Sequence, residues 1–412
     1  MKTSPAHASE DALALDGGKP VRSAPLPAWP FFEVDEIEAV RAVLASGQVN
    51  YWTGEQCALF EKEFAAYVGT RHAVALANGS LALELALHVL GIGPGDDVVV
   101  TCRSFVASAS CVVLRGARPI FADVDPASQN ITAETVRAVL TPKTRAIIAV
   151  HLTGWPCDLD PLLELARSRG IAVFEDCAQS HGATYKTRMT GSFGTVAAFS
   201  FCQDKIMTTG GEGGMLLTND EALWKKAWSY KDHGKSHDAT FNREHPAGYR
   251  WLHESFGSNW RMTEMQAALG RRQLSKLPKW TASRRRNASL MDAALAAVPG
   301  LRVHVPPAEF GHSYYKYYLF VEPSRLRRDW TRQRILDAIG AEGIPCAAGI
   351  CPEIYLEKSF SERGLGPASR LPNAKKLGET SIMLMLHPTM TEDDIRDTCD
   401  AVIKVMSVAA GA

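Results

Sequence analysis

The chain has 412 residues, 46% of them apolar and 22% charged, which is room for a large α/β core and a smaller second domain. Its 45 Lys and Arg balance its 45 Asp and Glu, so no broad electrostatic attraction to nucleic acid or an anionic membrane is implied. Nine cysteines are scattered without a C-x-x-C pair, which argues against a disulfide framework or a zinc site and for a reducing cytosol.

The first stretch, MKTSPAHASEDALAL, carries Pro5, Glu10 and Asp11 where a signal peptide needs an unbroken apolar core. No run approaches the length of a membrane span. Residues 1–25 read as an ill-ordered tail, 26–275 as a large domain and 276–412 as a smaller C-terminal α+β domain. Residues 34–46 have helical spacing, with Val34, Ile37, Val40 and Val43 or Leu44 on one face. A second helix covers 57–69, with Gly69 as its stop. Then short apolar strands (98–102, 119–124, 146–152, 171–177) alternate with helical segments LALELALHVLG, TAETVRAVL and LDPLLELARSRG. This alternation predicts a mostly parallel sheet wrapped by helices. A basic helix over 279–298 then leads into shorter mixed elements.

In such sheets ligands bind at the carboxyl ends of the strands. Four loops there carry unusual residues. Asn78, Gly79 and Ser80 open a helix, where backbone N–H groups and the dipole favour a phosphate; Ser80 would equally serve as an ordinary N-cap. Phe105 follows the strand VVVTC and is either core or a stacking platform. Glu175 and Asp176 end an apolar strand, where a buried carboxylate is costly unless a positive group meets it. Gln179 and His181 follow in the same loop. The fourth loop is FSFCQDKIMTTGGEGG, which offers Ser200, one lysine at Lys205, and four glycines within Gly210 to Gly214. Together these describe a flat ligand with a phosphate, a ring nitrogen that wants an anion and a carbonyl that wants a lysine. Pyridoxal 5′-phosphate (PLP) meets each requirement. The glycines let the backbone turn and pass close to the ligand.

Several blocks carry a family resemblance: NYWTGEQCALFEKEFAAYVG, ANGSLALELAL, GARPIFADVD, FEDCAQSHGA, FSFCQDKIMTTGGEGGMLLTND, KDHG, GSNWRMTEMQAALGRRQL and LPNAKKLGETS…HPTMTEDDI. From about Gly17 to its end the chain resembles the sugar aminotransferases of the DegT/DnrJ/EryC1/StrS family, which have the aspartate-aminotransferase type of PLP fold. The resemblance implies that Lys205 forms the Schiff base and shuttles the proton. It implies that Asp176 faces the pyridine nitrogen, Gln179 bonds the phenolic oxygen and Phe105 stacks on the ring. Gly79, Ser80, Leu81 and Ser200 would hold the phosphate, and Asn259 would reach the phosphate of the other subunit in a homodimer with shared sites. His181 lines the site or packs beneath it. Arg261 and Lys316 are the cations assigned to a substrate's pyrophosphate, with solvated surface charge as the alternative.

The resemblance has departures. Many relatives read HLYG after the third strand, where this chain has Thr153 in HLTG. After Gly343–Ile344 the chain reads PCAAGICPEIYLEKSF in place of a His- and Pro-containing HYxPLH-type stretch. The run HSYYKYY (312–318), read as strand, puts Tyr315 and Tyr317 on one face and Tyr314, Lys316 and Tyr318 on the other. The implied function is transfer of an amino group, from L-glutamate, to a C3 or C4 ketone of a nucleotide-linked hexose. The alternatives are a 3-amino-5-hydroxybenzoate synthase-like aminodehydratase acting on a carbocycle and a non-catalytic PLP-binding regulator. Deoxygenase relatives replace the lysine by histidine, whereas this chain keeps Lys205.

Overall fold

The computed structural model describes residues 12–411. The first eleven residues of the expected tail lie outside it. Residues 12–25, expected to be ill-ordered, are docked on the C-terminal part of the chain. Leu13 is buried in that core, and the buried Glu342 carboxylate accepts the N–H groups of Ala14 and Val21. Arg22 bridges Asp394 and Asp397 at 2.8 and 2.7 Å. One inserted leucine and a ring of partnered polar groups therefore order a segment whose composition reads as tail.

The large sheet has seven strands: β1 (His72–Leu76), β2 (Asp97–Thr101), β3 (Arg118–Ala122), β4 (Thr144–Val150), β5 (Ala172–Asp176), β6 (Val196–Ser200) and β7 (Gly214–Thr218). Their order is β1-β7-β6-β5-β4-β2-β3. The pairs from β6 to β3 are parallel, and β7 runs antiparallel between β6 and β1. The strands are buried on both faces, which is why they read as unbroken apolar runs. Helices α1 (Val34–Ser46), α2 (Gln56–Val68), α3 (Gly79–Val89), α5 (Ala133–Arg137) and α6 (Leu159–Arg169) match the periodic segments, whereas α4 (Ala107–Leu114), between β2 and β3, is not among the helices expected from the sequence.

Helix α1 forms over the expected residues but turns the other way. Val34, Ile37 and Leu44 are exposed, and Glu36 is buried with Val43. Glu36 closes a capping box and receives Gln273 Nε2 and Lys276 Nζ at 2.8 Å each. Three satisfied polar contacts fix the rotation that the apolar stripe alone would have set differently.

The small sheet comprises β8 (Leu301–Val303), β9 (Tyr317–Val321), β10 (Cys346–Ala347) and β11 (Ser381–Leu384), all antiparallel in the order β8-β9-β11-β10. A long helix, Glu264–Leu295, links the two halves and begins fifteen residues before the basic segment that announced it. Its first half packs Ala267, Leu274 and Leu277 on one face of the large sheet, and its second half packs Ala288, Met291 and Leu295 into the small core. The boundary read at 275–276 falls inside this helix. Among the described residues, no helix is long and apolar enough to cross a membrane.

Candidate active site

A cavity of about 560 Å³ opens at the carboxyl ends of β5 and β6. Gly79, Ser80, Leu81, Phe105, Asp176, Gln179, Ser200 and Lys205 all line it, so the structure brings the four loops together as the sequence reading requires. A larger groove of about 940 Å³ between α1, α2 and the long helix contains none of these residues.

The turn before α3 is built by close approach. A Cβ on Gly79 would meet the Cβ of Ser200 at 2.5 Å, and one on Gly214 would meet the carbonyl oxygen of Asn78 at 2.3 Å. Only glycine lets these strand ends and the helix start nest together. The N-cap is Asn78, not Ser80: its side chain accepts the Leu81 N–H at 3.0 Å. The Leu81 donor is thus already used, while Ser80 stays exposed at the cavity. Ser200 Oγ accepts the N–H of Cys202 at 3.3 Å and keeps its own proton to donate.

Glu175 and Asp176 are both buried and point to opposite faces of β5. The bland expectation of a bridge to Arg or Lys fails for both. Glu175 turns away from the cavity, onto His151 Nε2 at 3.1 Å and the N–H groups of Gly191, Phe193 and Gly194 at 2.6–2.8 Å. Burial pushes its carboxyl up, but His151 and those N–H groups outweigh burial and hold it below the usual range. Asp176 lines the cavity with only the Ser108 hydroxyl at 2.7 Å and the Ala178 N–H at 3.1 Å. There burial wins and its carboxyl is pushed up. An anion held under such tension favours a cation in the cavity.

Gln179 Oε1 accepts the N–H of Thr153 at 2.8 Å, which leaves its amide donors for a ligand. Thr153 adopts φ +58°, so this departure from the family pattern sits in a left-handed turn and contributes its backbone. Phe105 is 59% exposed and presents its ring to the cavity. Its exposure excludes the core alternative.

Lys205 has a side chain 15% exposed, with Nζ 3.5 Å from the hydroxyl of Tyr315 and 3.7 Å from Asp204. Its backbone carbonyl accepts the indole N–H of Trp29 at 2.9 Å. Tyr315, Asp204, Ser108 and Trp29 escaped the sequence reading as site residues. For Tyr315 the run HSYYKYY carries the signal, but strand alternation groups it with Tyr317. The strand begins only at Tyr317, and Tyr314 has φ +48°. Simple alternation therefore breaks, and Tyr315 and Tyr317 enter different cores.

Four expected residues lie off the cavity's lining. His181 is buried against Phe199 and Phe201, both ring nitrogens lack a protein partner, and burial with Lys205 and Arg284 nearby takes it down to about 3. It packs beneath the site. Arg261 is tied to the buried Asp232 at 2.6 Å. Lys316 lies over the Tyr315 ring and is pulled below the usual lysine range by burial. Asn259 is exposed, bridged to Asp232 through backbone.

The DegT/DnrJ/EryC1/StrS aminotransferase family profile matches residues 31–403. The chain belongs to that family. A solved aminotransferase from Psychrobacter cryohalolentis is 54% identical, with a TM-score of 0.91 over 93% of this chain and 99% of that one. The GDP-perosamine synthase of Caulobacter vibrioides is 37% identical over 84% of this chain and 89% of its own length. The L-glutamine:2-deoxy-scyllo-inosose aminotransferase of Streptomyces kanamyceticus is 35% identical over 96% of each. The chain is accordingly an enzyme of the aminotransferase type, from a family that uses PLP.

Proposed function

We propose that the cavity holds PLP and moves an amino group from L-glutamate to a C3 or C4 ketone of a nucleotide-linked hexose. The observation that carries this reading is the convergence of Lys205, Asp176, Gln179, Phe105 and the Asn78–Ser80 turn on one cavity. The donor set fits the cofactor: hydroxyls and backbone N–H groups for phosphate, an exposed ring for stacking, and a strained buried carboxylate for a ring cation. When bound, PLP supplies an electron-withdrawing ring that stabilises negative charge on the substrate carbon.

In this reading Ser80, Gly79 and Ser200 bind the phosphate, with Leu81 contributing once Asn78 yields its N–H. Asp176 would hold a proton at the ring nitrogen, Gln179 would orient the phenolic oxygen and Phe105 would cover the ring. Lys205 Nζ would hold the cofactor at its aldehyde carbon and, once freed, would move the proton at the substrate carbon. Asn259 completes the phosphate site of a partner copy in a homodimer. Mixing Lys205→Ala with Asn259→Ala chains should then restore up to about a quarter of sites by random pairing. No gain over the parents, once subunit exchange is verified, would remove Asn259 from that role.

The sugar reading is supported by relatives such as the GDP-perosamine synthase. A carbocyclic ketone is the second reading. What favours it is that Arg261 and Lys316, the cations assigned to a pyrophosphate, do not line the cavity, and that one relative's name specifies an inosose. Titration of UDP, dTDP and GDP into the pyridoxamine-phosphate form at low salt separates the two. Salt-sensitive binding supports the nucleotide-linked substrate. No binding at millimolar concentration would overturn it in favour of the carbocycle.

A further inference from the structure

Tyr315 and Asp204 form a pair at the Lys205 amine that the PLP reading leaves unassigned. Tyr315 comes from the C-terminal part of the chain and Asp204 directly precedes the lysine. The Tyr315 hydroxyl has one proton, and it donates that proton to Asp204 Oδ2. What the phenol oxygen offers Lys205 Nζ, at 3.5 Å, is therefore a lone pair. A hydroxyl whose proton is drawn to a carboxylate is a stronger acceptor than an isolated one. The same ring lies 5.0 Å from Nζ, close enough for a cation–π contact when the amine is charged.

Tyr315 is held from outside the lysine loop. The N–H of Tyr315 donates to the carbonyl of Thr153 at 2.7 Å, and the carbonyls of Tyr314 and Tyr315 accept from the buried Arg284 at 3.1 and 3.4 Å. The left-handed turn at Tyr314 is what directs the next side chain at the lysine and not into the small core. Tyr315 is buried, and burial together with Asp204 raises its phenol, so it remains a neutral acceptor. Asp204 is 56% exposed at the rim, so its replacement opens no core.

We propose that Tyr315, backed by Asp204, is the positioning residue for Lys205: it holds the free amine at the cavity wall, aimed at where the cofactor's aldehyde arrives. A lysine side chain has four rotatable bonds, and fixing them before reaction removes an orientational cost from each attachment. Lys205 forms the bond, with loss of water, and Tyr315 neither bonds the cofactor nor takes up a proton.

The inference rests on Lys205 being the PLP lysine, and its test keeps the two apart. PLP is added to full-length cofactor-free protein, borohydride is added at timed intervals, and attachment is followed by intact mass and peptide mapping. Tyr315→Phe keeps the ring and loses the acceptor; it should slow attachment at Lys205 about 5-fold, the size of losing one hydrogen bond between neutral groups. Asp204→Asn should slow it about 3-fold, since the phenol keeps an acceptor for its proton. In the Lys205→Ala background, adding Tyr315→Phe should leave the non-covalent affinity for PLP within about twofold, because the residue acts only through the lysine. An unchanged attachment rate in both single variants would overturn the proposal, as would a comparable loss of PLP affinity in the Lys205→Ala background. If Tyr315→Phe fails to fold by circular dichroism, Asp204→Asn alone decides. Attachment of PLP to a different lysine in the wild-type chain would instead refute the assignment of Lys205 itself.

Discussion

Glu175 and Asp176 are adjacent carboxylates at one strand end, both buried, yet the protein treats them in opposite ways. Glu175 faces away from the cavity and collects three backbone N–H groups and a histidine. Asp176 faces the cavity with two donors. The first is stabilised as an anion by the chain alone; the second is left short of positive charge. Strand pleating is enough to turn one carboxylate onto the chain's own donors and its neighbour into the cavity.

Asp176→Ala should give the largest effect. With the electron sink lost, turnover should fall by roughly a thousandfold or more, while melting temperature stays near wild type. Single-turnover kinetics with a keto acceptor and thermal unfolding check both halves, and near-normal turnover would remove Asp176 from the ring nitrogen. Glu175→Gln should act inversely. Breaking its buried partnership should cost roughly 3–5 kcal/mol in urea unfolding, with turnover per folded molecule close to wild type.

The two side chains should also separate by pH in the cofactor-free protein. Glu175 has a depressed folded value, so its stabilisation is full above the unfolded value of about 4.3 and is lost as pH falls through the folded one. Asp176 is raised, so its ionisation costs stability as pH climbs from about 3.9 through its folded value. Asp176→Asn should therefore stabilise the apo chain at pH 7, and Glu175→Gln should destabilise it. Both differences should shrink toward acid, read from urea midpoints at each pH. Ser108→Ala should have the smallest effect, removing one bond to Asp176 at 2.7 Å. A loss of about tenfold in turnover is expected, from steady-state rates.

The contrast also shows what a sequence can and cannot reveal. The sheet was legible because parallel strands buried on both faces leave runs such as AIIAVHL, and the loops at their ends announced their residues by type. Lys205, Asp176, Gln179 and Phe105, which line one cavity, stand out in the sequence because a lysine, a carboxylate, an amide and an aromatic are unusual at strand ends. Ser108 and Asp204 do not, because an ordinary polar residue gains meaning only from what lies opposite it in space. Tyr315 was hidden by one positive φ at Tyr314, which defeats any argument from alternation. The docked segment 12–25 and the inverted face of α1 were hidden for a related reason. In both, a few partnered polar groups, Glu342 and Glu36 among them, override what apolar pattern suggests.

The central claim is that Lys205 is the residue that holds PLP. Borohydride reduction of the purified, PLP-loaded wild-type protein, followed by proteolysis and mass spectrometry, tests it most directly. One pyridoxyl group per chain is expected, on the peptide containing Lys205, and none in Lys205→Ala even though that variant still binds PLP non-covalently. A pyridoxyl group on any other lysine, or covalent trapping that persists in Lys205→Ala, would contradict it.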